Sequence, residues 1–411
     1  MTSLALIQCD PECPQLSAAR LVQEMEAQSW VQLQSAGDFM NSPPASALAP
    51  GPGIILSTGG STGGRGLCFQ PYCHLDRSAA ATATWLRATG LTPADCLILN
   101  PLPLHHVSGL MPWWRSRCWG ASHHWLPAKL LKQPSELERS CVLLPDWKAK
   151  PVLLSLVPTQ LGRLLEDPAG LRWLQHCALV WVGGAALPSW MAQLAREARL
   201  RLAPCYGATE TASMVTAQTP QAFLAGEDGC GYALEDVELG QATNGALRIR
   251  CNRLGLGLWR NGRLETLQDP NGWWHSGDAA QLIAVDGHHR LLIEGRIDGA
   301  LLSGGETVFP EQLEQRLLDQ SQAASLPLAA VLAVAIPEHE WGERPVMLVR
   351  WRENDAKEQA NHLENLQLMA RSWPPAERPL LWYHCPELEP GPVGKWQREY
   401  WQRWLHIRLK V

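Results

Sequence analysis

Short apolar runs punctuate the first half of the chain: Ile54 to Leu56, Leu97 to Leu99, Val152 to Leu156 and Leu179 to Val182. Runs this short, bounded by polar or turn residues, predict strands buried on both faces. Between them, Ser78 to Ala88, Thr159 to Leu165 and Pro188 to Ala198 repeat apolar residues at helical spacing and predict the covering helices. The alternation predicts an α/β fold of layered sheets and helices. Ahead of it a helix is expected over Ala18 to Val31, then a Pro/Gly/Ala connector at 41–53, where Pro lacks the donor and Gly the side chain that regular structure uses.

From Gly245 onward the pattern becomes β-rich. Leu282 to Val285 and Arg290 to Ile293 are joined by Asp286-Gly287, a pair suited to a two-residue hairpin turn. A smaller α+β unit follows, with a helix starting at Pro310, where proline costs no hydrogen bond, and strands at Ala329 to Ile336 and Val346 to Trp351. The change of texture sets a boundary near Asp298. The expected domains are a large one at 1–297, including the β-rich subdomain, and a small one at 298–411.

Composition narrows the classes. The 411 residues are about 2.7 times the usual domain length, which suits two or three domains, each able to bury a core without metal or disulfide staples. Lys and Arg number 35 against 40 Asp and Glu, so a nucleic-acid backbone is not the expected partner. The 12 Cys include no C-x-x-C pair and are expected as reduced thiols of an intracellular protein. The first residues lack the basic start of a signal peptide, and no apolar run reaches the ~18 residues of a membrane helix. A cytoplasmic location is expected.

Chemistry enters with the loop Ser57-Thr58-Gly59-Gly60-Ser61-Thr62-Gly63-Gly64-Arg65-Gly66, directly after a predicted strand. Bare backbone N–H groups and hydroxyls with little side-chain bulk form an anion nest, so the loop is a candidate phosphate cradle. It is not a Walker loop, because Arg65-Gly66 stands where Lys-Ser/Thr is needed, nor a dinucleotide fingerprint.

Six further segments follow in order: Leu102 to Gly109 with His105-His106, Val182 to Pro188 with Gly183-Gly184-Ala185, Tyr206-Gly-Ala-Thr-Glu-Thr-Ala-Ser213, Ser276-Gly-Asp278 leading to Gly295-Arg-Ile-Asp298, Ser303 to Pro310, and Pro392-Val-Gly-Lys395. With the glycine-rich loop, their order and content resemble the acyl- and aryl-CoA synthetases of the adenylate-forming superfamily, over roughly residues 54 to 396. The wording around Val107-Ser108, Ala212-Ser213 and Ser303-Gly-Gly-Glu306 is most similar to the 2-succinylbenzoate:CoA ligase family of menaquinone and phylloquinone biosynthesis.

The resemblance implies two half-reactions. A substrate carboxylate attacks the α-phosphate of ATP to give an acyl-adenylate and pyrophosphate; the thiol of coenzyme A then displaces AMP. A carboxylic acid is already ionised at neutral pH, so catalysis is positioning plus neutralisation of growing phosphoryl charge. By the resemblance Lys395, on the small domain, delivers its ammonium to the α-phosphate, a role worth about 3 to 4 kcal/mol at comparable sites. Thr209 and Glu210 would serve phosphate and Mg²⁺, with Glu210 as the metal ligand. Asp278 would grip the ribose, with Arg296 its charged neighbour. Gly183, Gly184 and Ala185 would wall the adenine slot, Tyr206 stacking opposite with Gly207 beside it. Asp298 would be the hinge, and Gly304-Gly305 would border the pantetheine channel. His106 would face the acyl pocket. A second substrate carboxylate would need a buried donor, for which Arg115, Arg117 and Ser213 are candidates.

The chain departs from the pattern at the loop, where Gly66 stands about where relatives carry Lys and Arg65 is the nearby cation. Only 56 residues precede Ser57, so the N-terminal subdomain is expected to be shortened. Ser276 replaces the commoner Thr. Another acyl- or aryl-CoA ligase and a non-catalytic adenylate-binding homologue are the alternatives. The assembly is left open between monomer and homodimer.

Overall fold

The computed structural model describes residues 3–36, 42–58, 66–352, 355–390 and 396–409. Three sheets organise it, of six, eleven and five strands. The predicted buried runs become the strands Gly53–Ser57, Leu97–Asn100, Val152–Leu156 and Leu179–Val182. The covering helices form at Tyr72–Ala88, Pro158–Leu165 and Ser189–Glu197. The first begins six residues earlier than its apolar spacing suggested, because Pro71 ends the strand Leu67–Pro71 and the chain enters the helix at the next residue.

The expected helix Ala18 to Val31 is corrected. The helix is Pro14–Glu26, started by Pro14 at its first position, and Trp30–Ser35 is a strand. Gln28, at φ 56°, turns the chain out of the helix. The strand was hidden because Gln32 and Gln34 are buried polar residues, which break the apolar run expected of an interior strand. It lies parallel to both Leu4–Cys9 and Gly53–Ser57.

Half of the eleven-stranded sheet is parallel. Leu97–Asn100 lies between Ser122–Trp125 and Val152–Leu156, followed by Leu179–Val182 and Leu202–Ala208. Ser122–Trp125 carried no strand signal, because at the sheet's end only partial burial is demanded of Ser-His-His-Trp. The helices close over Leu99, Leu154, Leu156, Trp173, Val180, Val182 and Phe223. From Ser213–Ala217 onward the sheet is antiparallel; it includes the hairpin of Trp274–Val285 with His288–Arg296 and ends at the strand Val237–Gln241. Asp286 and Gly287 make the turn at φ 46° and 80°, as an Asp-Gly hairpin requires.

After the turn Ile297–Gly299 every strand among the described residues belongs to the third sheet. In Leu328–Glu338, Val331 and Ala333 face the helix Pro310–Ala323, while Leu332 and Val334 face Trp401 and Leu405 of the helix Arg398–Leu409. Both faces are covered, which explains the unbroken apolar run. Arg398 reaches from the last helix into the third sheet's layer, where Nη1 donates to Glu314 at 2.6 Å and Nη2 to Glu311 at 3.0 Å. Arg352 pairs with Glu166 at 2.8 Å, joining this region to the parallel-sheet layer. No helix among the described residues is long and apolar enough to cross a membrane.

Candidate active site

In a parallel sheet the loops after the strands leave from one edge, where ligands of open α/β folds collect. Three predicted site segments leave this edge: those after Leu97–Asn100, Leu179–Val182 and Leu202–Ala208. Asn100 shapes the first. Its Nδ2 donates to Gly109 O at 2.8 Å and its Oδ1 accepts from Leu102 N at 3.2 Å. Gly109 packs so closely that a Cβ there would lie 2.1 Å from Pro103 O. His106 occupies the position just before the helix Val107–Trp119, its ring 4.3 Å from that of His105.

Gly183, Gly184 and Ala185 follow the second strand. Gly183 sits tightly, since a Cβ would meet Cys205 Sγ at 3.0 Å, and Gly184 takes φ 83°. Two residues of bare backbone, with the exposed Ala185 methyl beside them, form this surface.

The third strand carries Tyr206 and Gly207 into the turn Thr209–Thr211. A Cβ on Gly207 would lie 2.3 Å from Ser213 O, so the chain doubles back tightly. The turn is held from outside: Gln70 Nε2 donates to Thr209 O at 2.7 Å, and Gly255 N donates to Glu210 O at 2.7 Å. Cys68 lies beneath, its thiol pKa pushed well up by burial and then by the Glu210 carboxylate.

Tyr206 Oη donates to Asp278 Oδ2. Their strands lie four steps apart in the sheet order, a separation of about 19 Å if the sheet were flat. The sheet therefore curls to bring them together. Burial, and then the Asp278 charge, keep Tyr206 protonated. Arg296 extends the chain: Nη1 reaches Asp278 Oδ1 at 3.4 Å and Ser276 O at 3.1 Å, while Nε and Nη2 fork onto Asp298 at 3.0 and 2.7 Å. Burial opposes its charge, but the two carboxylates more than offset this and raise its pKa.

Arg115 and Ser213 are also brought together. Arg115 Nη2 donates to Ser213 Oγ at 3.1 Å, and its guanidinium lies over the Trp181 ring at 5.5 Å. Arg115 is only 3% exposed, and its Nε has no partner among the described residues. Burial lowers its pKa to about 10. Arg117 is exposed and packs on Trp113, so of the two arginines only Arg115 lies inside.

At the glycine-rich loop, Ser57 pairs with Leu67 across antiparallel strands, and Thr58 N donates to Gly66 O at 2.8 Å, closing the mouth. Arg260 Nε lies 2.8 Å from where a Gly66 Cβ would be, a cation that the sequence reading missed. Gly59, Gly60, Ser61, Thr62, Gly63 and Arg65, and likewise Lys395, lie outside the described residues. Gly304 approaches the Trp341 ring, 2.5 Å from a hypothetical Cβ, so its close packing serves an internal neighbour.

Residues 5–241 match the AMP-binding enzyme family. The chain is 28% identical over 423 residues to the 2-succinylbenzoate--CoA ligase of Salmonella typhimurium, covering 98% of this chain and 84% of that relative. Among solved structures, o-succinylbenzoate CoA synthetase (MenE) from Bacillus subtilis in complex with the acyl-adenylate intermediate OSB-AMP matches with a TM-score of 0.70 at 18% identity, covering 98% of this chain and 88% of the other. The same enzyme in complex with ATP and magnesium ion matches with a TM-score of 0.68 at 18% identity, covering 97% and 88%. At these identities the structural likenesses establish the adenylate-forming fold.

Proposed function

Since the chain belongs to the AMP-binding enzyme family, we propose that it is an acid:CoA ligase that converts 2-succinylbenzoate, ATP and coenzyme A to 2-succinylbenzoyl-CoA, AMP and pyrophosphate, within menaquinone or phylloquinone assembly. The names of its relatives support this acid. The observation that carries it is the buried Arg115–Ser213 pair. A guanidinium out of water with an unpartnered Nε suits the carboxylate that the reaction leaves untouched, because fork-shaped donors match a carboxylate's two oxygens.

The other carboxylate is the nucleophile. Asp278, oriented by Tyr206 and Arg296, takes the ribose hydroxyls; the Gly183–Ala185 backbone wall takes the adenine face. The loop beginning at Ser57 and Thr58 cradles the phosphates. Thr209 and Glu210 offer a hydroxyl and a carboxylate, an all-oxygen set that fits Mg²⁺, a hard cation, and the carbonyls of this turn are already tied to Gln70 and Gly255. When bound, the ion neutralises phosphate charge. His106 borders the acyl group, and Lys395 supplies positive charge at the α-phosphate. The region from Asp298 onward then turns about this residue to admit coenzyme A.

Pyrophosphate release over a panel of acids, with coenzyme A present and omitted, tests the proposal. Release with 2-succinylbenzoate in the absence of coenzyme A is expected; release with another acid and none with this one would overturn the assignment.

A further inference from the structure

Arg253 is fully buried and belongs to none of the motifs above. Its guanidinium bonds one carboxylate and one turn, with Nη1 also 3.5 Å from Ser78 Oγ. Nε and Nη2 fork onto Asp236 at 2.7 and 3.2 Å; Nη1 donates to Thr211 O at 2.7 Å, and Nη2 also donates to Met214 O at 3.1 Å. The two captured carbonyls bracket Ala212 and Ser213, which take φ 51° and 94° although neither is glycine. A side chain resists such angles, so consecutive residues holding them need outside support. Ser78 supplies more, with Oγ donating to Ala212 O at 2.5 Å. The supported segment carries Glu210 just before the bracket and Ser213 inside it, and Ser213 Oγ accepts from Arg115.

We propose that Arg253, neutralised by Asp236, is a positioning residue that holds the Thr209–Met214 turn in its strained form and so sets the acid preference of the Arg115–Ser213 pair. This rests on the acid:CoA ligase reading above. Arg253 touches no substrate. Without its two carbonyl anchors Ala212 and Ser213 relax, Ser213 Oγ leaves Arg115, and the guanidinium loses the partner that orients it toward a second carboxylate. An acid with a single carboxylate depends on that orientation far less.

The test compares kcat/KM for 2-succinylbenzoate with that for 3-benzoylpropionate, which lacks the ring carboxylate, in pyrophosphate release. The variants are Arg253→Met with Asp236→Leu, which removes both buried charges together, and Ser78→Ala, which leaves the ion pair intact. The preference for the dicarboxylate should fall about tenfold or more in the double variant and several-fold in Ser78→Ala, carried by KM for the acid. A merely structural role would reduce both acids alike. An unchanged preference in a folded double variant overturns this inference while leaving the ligase reading intact. No release by the unaltered protein with either acid overturns the ligase reading, and this inference with it.

Discussion

Arg296 holds Asp298 through both edges of its guanidinium, Nε to Oδ1 at 3.0 Å and Nη2 to Oδ2 at 2.7 Å, and its remaining nitrogen reaches Asp278. The residue proposed to grip ribose is therefore tied to the residue proposed as the hinge. A turn about Asp298 must break or carry this fork. Asp298→Pro, which locks φ, should leave acyl-adenylate formation within a few-fold of normal and slow thioester formation on the order of tenfold or more. Rapid-quench measurement of the two half-reactions checks it; a full-rate second step would remove Asp298 from the hinge.

Arg115→Met should raise KM for 2-succinylbenzoate with little effect on 3-benzoylpropionate. A hydrogen-bonded charge is worth about 1.5 to 3 kcal/mol, or roughly 10- to 150-fold in kcat/KM. Equal losses for the two acids would show that Arg115 serves the fold rather than the second carboxylate.

Lys395→Ala should abolish adenylate formation while sparing thioester formation from supplied acyl-adenylate, because only the first step requires a carboxylate anion to attack the α-phosphorus among the phosphate charges of ATP. Both steps are followed separately, by pyrophosphate release and by thioester yield. Equal loss of both would refute the assignment.

Arg398 lies three residues beyond Lys395 and is held by Glu311 and Glu314. Glu314→Gln removes one partner of a buried ion group and should cost about 3 kcal/mol of stability, read by denaturant unfolding. It should also slow the first half-reaction without changing KM for the acid, since the segment bearing Lys395 loses its anchor.

His123 is held neutral. Burial, and then His124, lower its pKa to about 3, and Asn100 Nδ2 lies 3.4 Å from its Nε2. The unfolded chain takes up a proton near pH 6.5 that the folded chain refuses until about pH 3, so stability falls as pH drops through this window, by at most about 1.4 kcal/mol per unit. His123→Gln should flatten that acid loss in unfolding experiments from pH 6.5 to 4; an unchanged slope would assign it elsewhere.

What could be read from the sequence was whatever is local. Tyr206-Gly-Ala-Thr-Glu declares a turn bearing a hydroxyl and a carboxylate within five residues, and Asp286-Gly287 declares a hairpin. Arg253 could not be found this way. Its partners Asp236, Thr211 and Met214 come from 17 to 42 residues away, and nothing in Asn252-Arg253-Leu254 separates a buried clasp from a surface cation. Gln32 and Gln34 misled in the same manner, as polar residues in buried positions. The choice between Arg115 and Arg117 needed the helix rotation, which places one beneath Ser213 and the other in solvent.

The most direct measurement incubates the purified protein with Mg²⁺, ATP and 2-succinylbenzoate, without coenzyme A, and looks for 2-succinylbenzoyl-AMP by mass spectrometry. This mixed anhydride should accumulate, one per active site, and be consumed when coenzyme A is added. Failure to form any acyl-AMP, with this or any other carboxylic acid, would contradict the proposed function.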